Sequence, residues 1–353
     1  MELRQLRYLL AVVEEANFTR AAAALHVAQP GVSAQIRQLE RELGQRLLDR
    51  SGRSVTVTEA GAAVLPYARA ALAAVDGMRQ TADEYAGLLR GRVTLGLVSG
   101  AATHEYDVAS VLADFHDDHP HVEIALTEDT SDRMLAAVRE GRLDIALAGL
   151  AEDTPPQGVT WQIVVDEPLA ALVAADDPLV AQARAALAGA GGRGDGGCGD
   201  GGRGDGGRGD GLGTVPLAAL AGRPLISLPR GTGLRAVLER ACTQAGFTPR
   251  VAFEAAAPPL LIQLAARGLG VAVFPAPGAS ASADAYGLRV VGFDEPCPRG
   301  RLGLAWRTDG PTGPAARAFL ARLRAALTAA ARVEPEPARI STPVPNQREH
   351  DGS

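Results

Sequence analysis

Residues 18–53 constrain the fold more than any other part of the chain. They open with an Ala-rich stretch that predicts a helix to about His26, with Thr19 as its N-cap, because a hydroxyl can accept an unpaired amide at a helix start. Pro30 suits the first turn of a second helix and restricts the residue before it, so a turn is predicted at residues 27–29. Two helices joined by so short a turn predict a helix-turn-helix, a motif that reads DNA.

The second helix is predicted to have two different faces. Its apolar residues recur at spacings of four, three and four, which places them on one buried stripe: Val32, Ile36, Leu39 and Leu43. The opposite face carries Pro30, Ala34, Arg37, Gln38 and Arg41, flanked by Ser33. A helix in the major groove meets bases mainly through its N-terminal residues, so Gln29, Ser33 and Arg37 are candidates for base or phosphate contact. Arg41, further along, is expected to meet phosphate.

The residues after this helix predict a short β-hairpin. LLDRSGRSVTVTEAG contains two extended pieces around Ser51 and Gly52, and Thr and Val alternate after the turn. Such a hairpin is a wing, and Arg50 and Arg53 at its tip are expected to reach the DNA backbone or the minor groove.

Residues 29–61, QPGVSAQIRQLERELGQRLLDRSGRSVTVTEAG, resemble the N-terminal winged helix of the LysR-type transcriptional regulators. The resemblance implies DNA contact, or a part in building the motif, at six positions: Gln29, Pro30, Ser33, Gln35, Arg50 and Arg53. Two residues depart from the family pattern. Leu48 stands where the family usually has Phe, and Ala34 offers only a methyl group where many members carry a longer polar side chain.

A long helix is predicted after the wing, capped by Thr58 and continuing to about Leu89. Two sets of residues repeat every seven positions along it: Val64, Ala71, Met78 and Tyr85, and Tyr67, Ala74, Thr81 and Leu88. This double repeat indicates a seam with a partner helix, although a helix packed on its own domain would also explain it. Pro66 predicts a kink. The resemblance favours a homodimer, a homotetramer being usual in the family, and hence a two-fold site on double-stranded DNA.

From residue 91 the chain alternates between buried strands and helices. Strands are predicted at 93–98, 122–126 and 143–147, with helices at 108–115 and 134–140, and a second alternating set runs on to residue 327. This βαβαβ order builds a parallel sheet with helices on its faces. Length and order resemble the two-lobed effector domain of LysR-type regulators, which is similar to periplasmic binding proteins.

The sequence therefore predicts a multidomain protein with an α-rich DNA-binding part and an α/β effector-binding part. The expected divisions are a winged helix-turn-helix domain at 1–58, a linker helix at 59–90, an effector-binding domain at 91–331 and a disordered tail at 332–353. Lobe I is expected to take 91–160 and 270–331, and lobe II 161–269, with a crossing near Trp161 and a return near Gly270. Four GGRGD-like pentapeptides between Gly191 and Asp210 predict a flexible insertion at 189–213.

An effector cleft is proposed from position alone. Ligands of open α/β sheets lie beyond the carboxyl ends of strands and at helix N-termini. Residues at such places are Ser99, Gly100, Thr103, Thr127, Thr130 and Gly149 in the first lobe, and Gly231, Thr232 and Gly233 in the second. Thr232 is the expected N-cap of a helix whose exposed amides favour an anion, so a small carboxylate or similar metabolite is the expected effector. Each of these residues can equally serve as a plain turn or cap.

Composition excludes several other functions. The net charge of −6 gives no general affinity for polyanions, so DNA binding must depend on local placement and on two copies per site. All 35 basic side chains are Arg, which excludes a Walker A loop, a pyridoxal Schiff base and a Ser-x-x-Lys acylase. MELRQLRYLL lacks a signal-peptide pattern, and no segment reaches about 18 uninterrupted apolar residues, so a cytoplasmic protein without membrane contact is expected.

No metal or cofactor is expected. His116, His119 and His121 straddle a helix end and Pro120, where exposed polar residues are normal. The thiols Cys198, Cys242 and Cys297 are scattered and expected to be reduced and structural; some LysR relatives sense peroxide through a Cys pair, but the spacing here does not match. The preferred function is an effector-controlled transcriptional regulator. A sensor or solute-binding module, and an enzyme on an α/β scaffold, are the alternatives, although neither an export signal nor a G-x-S-x-G or H-E-x-x-H motif is present.

Overall fold

The computed structural model describes residues 1–51, 54–85, 89–98, 107–189, 213–294 and 296–330. Nearly all of the predicted insertion at 189–213, Cys198 and the predicted tail at 332–353 lie outside these ranges. None of the helices in the described ranges combines the length and the apolar character that crossing a lipid bilayer requires.

The N-terminal domain is a helix-turn-helix followed by a small wing, as the sequence predicted. Its elements are α1 (Leu3–Glu15), α2 (Phe18–Ala24), α3 (Gln29–Leu43), β1 (Leu48–Asp49) and β2 (Thr56–Val57). The two strands pair antiparallel, with Leu48 opposite Val57 and Asp49 opposite Thr56. Helix α4 (Glu59–Tyr85) follows, and Thr58 caps it as predicted, because its Oγ1 accepts a hydrogen bond of 3.0 Å from the Gly61 amide.

The start of α2 and the turn after it differ from the prediction. Asn17, not Thr19, is the N-cap: its Oδ1 accepts hydrogen bonds from the amides of Thr19 at 2.8 Å and Arg20 at 3.1 Å. An amide oxygen one residue before the helix reaches these donors, whereas Thr19 already lies inside the first turn. The helix ends at Ala24 and His26 takes a φ of +54°, so the turn spans residues 25–28.

The predicted apolar stripe of α3 is buried except at its end. Val32, Ile36 and Leu39 are fully buried in one core with residues of α1, α2 and α4. Leu43 was predicted to join them but is 40% exposed. The reason is that α3 stops beside it, at Gly44 with a φ of +69°, and the chain turns off toward the wing.

One face of α4 packs on its own domain and another is open. Leu65 and Ala68 are buried in the N-terminal core, and Val64 and Ala71 pack against it. Residues of the other predicted register, together with Met78, face outward: Tyr67 is 78% and Met78 66% exposed, and Ala74 is exposed as well. Part of the predicted seam therefore packs within the chain, which is the alternative that the sequence also allowed. The exposed residues of the seam, Tyr67, Ala74 and Met78, make no such contact with the N-terminal core.

The C-terminal domain has two lobes, each built around a sheet. Lobe I contains β3 (Gly91–Leu97), α5 (Val108–Asp118), β4 (Val122–Glu128), α6 (Ser131–Arg139) and β5 (Ile145–Gly149). The chain then runs through β6 (Val159–Ala174), α7 (Pro178–Gly189), β7 (Thr214–Val215), β8 (Pro224–Ser227), α8 (Gly233–Gln244), β9 (Arg250–Glu254), α9 (Pro258–Ala266), β10 (Val271–Pro275), α10 (Ala276–Tyr286), β11 (Leu288–Phe293), β12 (Arg299–Arg307) and α11 (Pro314–Ala330). The helices α7 and α10 were not predicted, because their Ala- and Ser-rich sequences lack a clear apolar stripe.

The long strand β6 belongs to both sheets. The first sheet has the order β4-β3-β5-β12-β6, with β3 parallel to β4 and β5. The second has the order β9-β8-β10-β6-β11-β7. Residues 159–168 of β6 pair with β12, and residues 169–174 pair with β10 and β11.

This pairing moves the boundary between the lobes away from the predicted positions. The chain enters lobe II at about Leu169 rather than near Trp161, because Trp161 still pairs with Ala305 in the first sheet. It returns at about Pro298 rather than near Gly270, because β10 and β11 both pair with the lobe II half of β6. Two strands that the sequence assigned to lobe I thus lie in lobe II.

Both lobes have closed apolar cores. In lobe I the rings of Phe115 and Phe319 meet edge to face with centroids 4.8 Å apart, which ties the C-terminal helix α11 to α5. In lobe II, Val173 faces one side of the sheet and Leu172 the other, so helices pack on both sides.

The linker helix also touches lobe I. Arg69 of α4 borders a small pocket with Gly141 and Asp144, and burial lowers the pKa of its guanidinium. Asp144 accepts hydrogen bonds from the Thr94 amide and hydroxyl at 2.8 and 2.7 Å, while burial raises the pKa of its carboxyl. Lobe I is therefore in direct contact with the helix that leaves the DNA-binding domain.

Replacement of Gly61 by Ala should destabilise the N-terminal domain. A Cβ there would lie 2.1 Å from the Leu47 carbonyl oxygen and 2.9 Å from Val57 Cγ1, so we expect Gly61→Ala to lower the free energy of unfolding by about 1–3 kcal/mol. Gly77→Ala in the same helix is the control: its Cβ would meet nothing nearer than 3.8 Å, and the change should be neutral or stabilise by up to about 1 kcal/mol. Urea unfolding followed by far-UV circular dichroism compares the two midpoints, and equal midpoints would contradict the packing described.

Candidate DNA-binding surface and interlobe cavity

The outer face of α3 presents a mixed polar surface. Pro30, Arg37 and Arg41 are exposed, and Gln29 and Gln35 are partly buried. Ala34 is exposed between them with only its methyl group to offer. The residues near the start of this helix can therefore approach base edges, and the arginines can approach phosphates.

Ser33 differs from the other predicted contact residues because it is only 8% exposed. Its Oγ accepts a hydrogen bond of 2.7 Å from Arg37 Nη1, one helical turn later. The carbonyl of Arg37 in turn accepts a bond of 3.3 Å from Arg41 Nε. In this arrangement Ser33 restricts the direction of the Arg37 side chain, which a spacing of four in the sequence could have suggested.

The wing closes one end of this surface. Arg50 directly follows β1, with Nη2 2.8 Å from Glu40 Oε2 and its guanidinium carbon 4.9 Å from the centre of the Phe18 ring. Arg53, the other predicted wing contact, lies outside the described residues. A groove between the end of α3 and the wing is bordered by Arg37, Arg41, Arg46 and Arg50. The sequence reasoning missed Arg46, whose position between helix and wing was the available signal.

A cavity of about 480 Å³ lies between the two lobes. Four of the predicted effector residues line it: Thr130, Gly149, Thr232 and Gly233. Thr127 and Gly231 do not line it, and Ser99, Gly100 and Thr103 lie outside the described residues. The lining is mainly apolar, with Val165, Leu172, Leu228, Ile262, Phe274 and Leu302 among its members. The volume is in the usual range for a small-molecule site.

The helix starts at the cavity are occupied by the protein itself. A Cβ on Gly233, at the start of α8, would lie 2.3 Å from the carbonyl carbon of Gly149, so the two backbones touch across the lobes. Thr232 was expected to cap α8, but it makes no side-chain cap bond and its Oγ1 donates to the Pro229 carbonyl at 2.8 Å. At the start of α6, Asp129 Oδ1 accepts from the Thr130 amide at 2.7 Å. These helix ends therefore offer less to an anion than the sequence suggested.

Several polar residues of the cavity were not predicted. Ser131 is 1% exposed and its Oγ accepts a hydrogen bond of 3.0 Å from the Gly149 amide. Three carboxylates also line the cavity, from Glu128, Asp129 and Glu167. Among the described residues one guanidinium lines the cavity, that of Arg301, whose Nη1 lies 2.6 Å from Asp153 Oδ1. Glu128 ends β4 and Asp129 follows it, so both could have been found beside Thr130. Glu167 and Arg301 instead depend on the pairing of β6 with β12, which no local pattern shows.

The two described cysteines are poorly suited to react as thiolates. Cys242 is fully buried in lobe II, and burial, with a smaller effect of Glu239, raises the pKa of its thiol to about 11. Burial also raises the pKa of Cys297, whose Sγ donates to the Leu169 and Pro298 carbonyls at 3.9 and 3.5 Å. Both pKa shifts reduce the fraction of the nucleophilic thiolate at neutral pH.

The three histidines at the end of α5 differ in exposure. His116 and His121 are exposed and His119 is partly buried, its ring 4.7 Å from that of Phe115. Across the described ranges, no group of three or more His, Cys, Asp or Glu side chains is arranged to hold a metal ion.

Two family models match the chain and together cover most of it. Residues 3–62 match the bacterial regulatory helix-turn-helix protein of the lysR family. Residues 86–190 and 210–328 match the LysR substrate binding domain.

Curated relatives match along almost the whole chain. A probable hydrogen peroxide-inducible genes activator of Mycobacterium avium is 32% identical over 305 residues, which is 86% of this chain and 87% of the relative. The uncharacterized HTH-type transcriptional regulator YnfL of Escherichia coli K12 is 31% identical over 329 residues, 93% of this chain and 99% of YnfL. The dual regulator OxyR of the same strain is 28% identical over 311 residues, 88% of this chain and 91% of OxyR.

Solved full-length structures share the fold. A full-length OxyR variant from Pseudomonas aeruginosa superposes with a TM-score of 0.63 at 24% identity, covering 93% of this chain and 98% of that one. CbnR, a LysR family regulator solved with its target DNA, gives a TM-score of 0.52 at 21% identity, covering 94% of this chain and all of CbnR.

Cys242 should resist alkylation while the protein is folded. With a pKa of about 11, only about one thousandth of its thiol is ionised at pH 8, and the buried side chain offers no access. We expect peptide mass spectrometry after brief iodoacetamide treatment to find Cys242 unmodified, and fully modified when the same sample is first unfolded in urea. Rapid labelling of Cys242 in the folded protein would show that this part of lobe II opens readily.

Proposed function

Because the chain belongs to the lysR family of bacterial regulatory helix-turn-helix proteins, we propose that it regulates transcription from a two-fold DNA site, as a homo-oligomer controlled by a small molecule in the interlobe cavity. The observation that carries the proposal is the presence, in one chain, of an exposed recognition helix and an apolar cavity between two lobes. The named relatives are regulators of transcription, and no catalytic role is proposed.

The DNA contacts proposed for α3 fall into two groups. Pro30 is exposed near the start of the helix, where a helix in the major groove approaches base edges, and Gln29 and Gln35 are partly buried at the borders of the outer face. Arg37 and Arg41 extend this face toward the wing, and Arg53 of the wing is proposed from sequence. We assign Ser33 a supporting part, because its buried hydroxyl bonds Arg37.

The open face of α4 supports pairing with a second copy of the chain. Tyr67 and Met78 are large apolar side chains left exposed on one helix, and Ala74 lies between them. Large exposed apolar side chains along a helix are typical of a surface that another helix covers. A homodimer, assembled further into a homotetramer, would carry paired winged helices to a two-fold site.

For the effector, the cavity supports a small molecule with a mainly apolar body. The sequence predicted a carboxylate. Among the described lining residues, however, three carboxylates stand against one guanidinium: that of Arg301 pairs with Asp153, and one of the carboxylates, Asp129, lies 3.5 Å from Arg133 Nη1. Like charges in a partly desolvated site disfavour binding of an acid. We therefore favour a ligand whose polar group donates hydrogen bonds or carries positive charge.

Several relatives are named as hydrogen peroxide-inducible genes activators, which makes a peroxide response the second candidate. The buried Cys242, with its pKa of about 11, argues against it, as does the raised pKa of Cys297. A peroxide-reactive thiol needs access and a stabilised thiolate. We therefore rank control by a bound metabolite above control by oxidation of these two cysteines.

Arg37 and Arg41 should contribute differently to DNA binding. Titrations of the DNA upstream of the protein's own gene, at several salt concentrations, should show Arg37→Ala losing about 1–3 kcal/mol of affinity if this side chain meets a base. Arg41→Ala should lower the slope of log K against log salt by about 0.9, as for the loss of one phosphate contact. Arg133→Ala, on lobe I with its side chain 77% exposed, is the control. If the unmodified chain forms no specific complex with this DNA at low salt, the proposed function as a transcriptional regulator is wrong.

Filling the cavity should abolish the effector response without abolishing DNA binding. Gly278 lines the cavity and its Cβ would meet no atom within 4 Å, so Gly278→Leu occupies ligand space without a clash at its base. We expect apolar amines, but not acids of matched shape, to raise the thermal midpoint of the unmodified chain. At a ligand concentration one hundred times Kd, the free energy of unfolding should increase by about 2.7 kcal/mol. The midpoint of Gly278→Leu should not change. Ala181→Leu, on the exposed face of α7, controls for the added side chain. Stronger stabilisation by the acids would restore the carboxylate prediction.

A further inference from the structure

One carboxylate connects the recognition helix to the first strand of the wing. Glu40 lies in the second half of α3, and its side chain is 11% exposed. Its Oε1 accepts hydrogen bonds from the amides of Leu47 and Leu48, at 3.0 and 3.2 Å. Its Oε2 lies 2.8 Å from Arg50 Nη2. A single side chain of α3 thus accepts hydrogen bonds from two amides at the start of β1 and from the guanidinium of the residue that follows this strand.

The other partner of this pair touches a third element. The Arg50 guanidinium lies 4.9 Å from the centre of the ring of Phe18, the first residue of α2. It is therefore held between an anion on one helix and an aromatic ring on another, and a planar guanidinium can satisfy both at once. Leu47 and Leu48, whose amides Glu40 binds, are themselves buried in the N-terminal core.

The charge of Arg50 is largely matched where it stands. A charge-assisted hydrogen bond between partly buried groups is stronger than a neutral one. The Arg50 side chain is 31% exposed, but to follow a phosphate outward its guanidinium would have to leave the Phe18 ring and the Glu40 carboxylate, which is 11% exposed and would keep only its two amide partners. The geometry thus opposes the direct DNA contact that sequence resemblance allowed for this residue.

We propose that Glu40 and Arg50 are positioning residues that set the direction of the wing relative to the recognition helix, and that Arg50 is not itself a phosphate contact. The proposal rests on the DNA-binding function proposed above and adds the way in which the wing is oriented. Glu40 would then be an acidic residue beside a DNA-binding groove. Its carboxylate repels the phosphates, yet removing that carboxylate would weaken DNA binding.

The sign of this effect makes the proposal testable. If only charge mattered, Glu40→Gln would strengthen binding to the polyanion. We expect the opposite, a loss of affinity of about 5- to 20-fold, because the wing is released from α3. Glu42→Gln is the matched control: it removes the same charge from the same helix, but Glu42 pairs with the chain N-terminus and Gln38 instead of the wing. Its affinity should be unchanged or slightly higher.

Two Arg50 variants separate positioning from contact. Arg50→Gln should lose affinity with the same salt slope as Glu40→Gln, because both variants release the wing, whereas a phosphate contact by Arg50 itself would lower its slope by about a further 0.9. Arg50→Lys should lose affinity as well, because an ammonium keeps the charge but not the planar group that stacks on Phe18 while bonding Glu40. This variant also decides the matter if circular dichroism shows that Glu40→Gln is unfolded.

The outcomes are distinct. Affinity of Glu40→Gln equal to or above that of the unmodified chain, a salt slope for Arg50→Gln lower than that of Glu40→Gln, or full affinity of Arg50→Lys would each overturn the positioning role. If the unmodified chain itself forms no specific complex with the upstream DNA, the proposed regulatory function fails instead.

Discussion

The strand β6 is the constraint on which the C-terminal domain depends. Its residues 159–168 form one edge of the lobe I sheet and residues 169–174 lie inside the lobe II sheet, without a break in the strand. The two sheets are therefore joined by ordinary strand hydrogen bonds on both sides of Pro168–Leu169, and β12 supports the lobe I half alone. A connection of this kind limits the relative motion of the lobes to bending about a few residues, as in a hinge.

The cavity follows from this connection. Val165 and Glu167 come from the lobe I half of β6 and Leu172 from the lobe II half, so the floor of the cavity is the hinge strand itself. On the opposite side the lobes touch where the backbones of Gly149 and Gly233 meet and where the Asp132 amide donates to the Gly231 carbonyl at 3.2 Å. A Cβ on Gly233 would lie 2.3 Å from the Gly149 carbonyl carbon, so this approach requires glycine there, whereas a Cβ on Gly149 would lie 3.2 Å from Gly233 and would need only a small shift. A ligand in the cavity would thus bear on the hinge and on the contact that closes it.

The sequence was most informative where structure is local. The helix-turn-helix, the wing and the cap at Thr58 depend on neighbours a few residues apart, and their patterns were readable. The predicted lobe boundary was wrong because it depends on which sheet the strands beginning at Val271 and Leu288 join. Both pair with β6 around Leu172, in lobe II, and a run of apolar residues does not encode that choice. For the same reason the cavity was found from strand ends such as Gly149 but not from Arg301, which reaches it through a distant strand. The charge of the cavity also became visible only when the structure placed Glu128, Asp129 and Glu167 along one lining.

The linker helix α4 connects the DNA-binding domain to lobe I of the C-terminal domain. Its first turns belong to the core of the DNA-binding domain through Leu65 and Ala68, and its middle rests on lobe I, where Gly77 faces Thr312 and Gly313. The same helix leaves Tyr67 and Met78 open to a second copy. A change in the angle between the lobes can reach the DNA-binding domain only by moving lobe I against this helix or the helix against its partner. A ligand shifts such an equilibrium only by its different affinity for the two arrangements, so an effector that regulates the proposed DNA binding would have to alter contacts between the lobes, such as the Gly149–Gly233 approach.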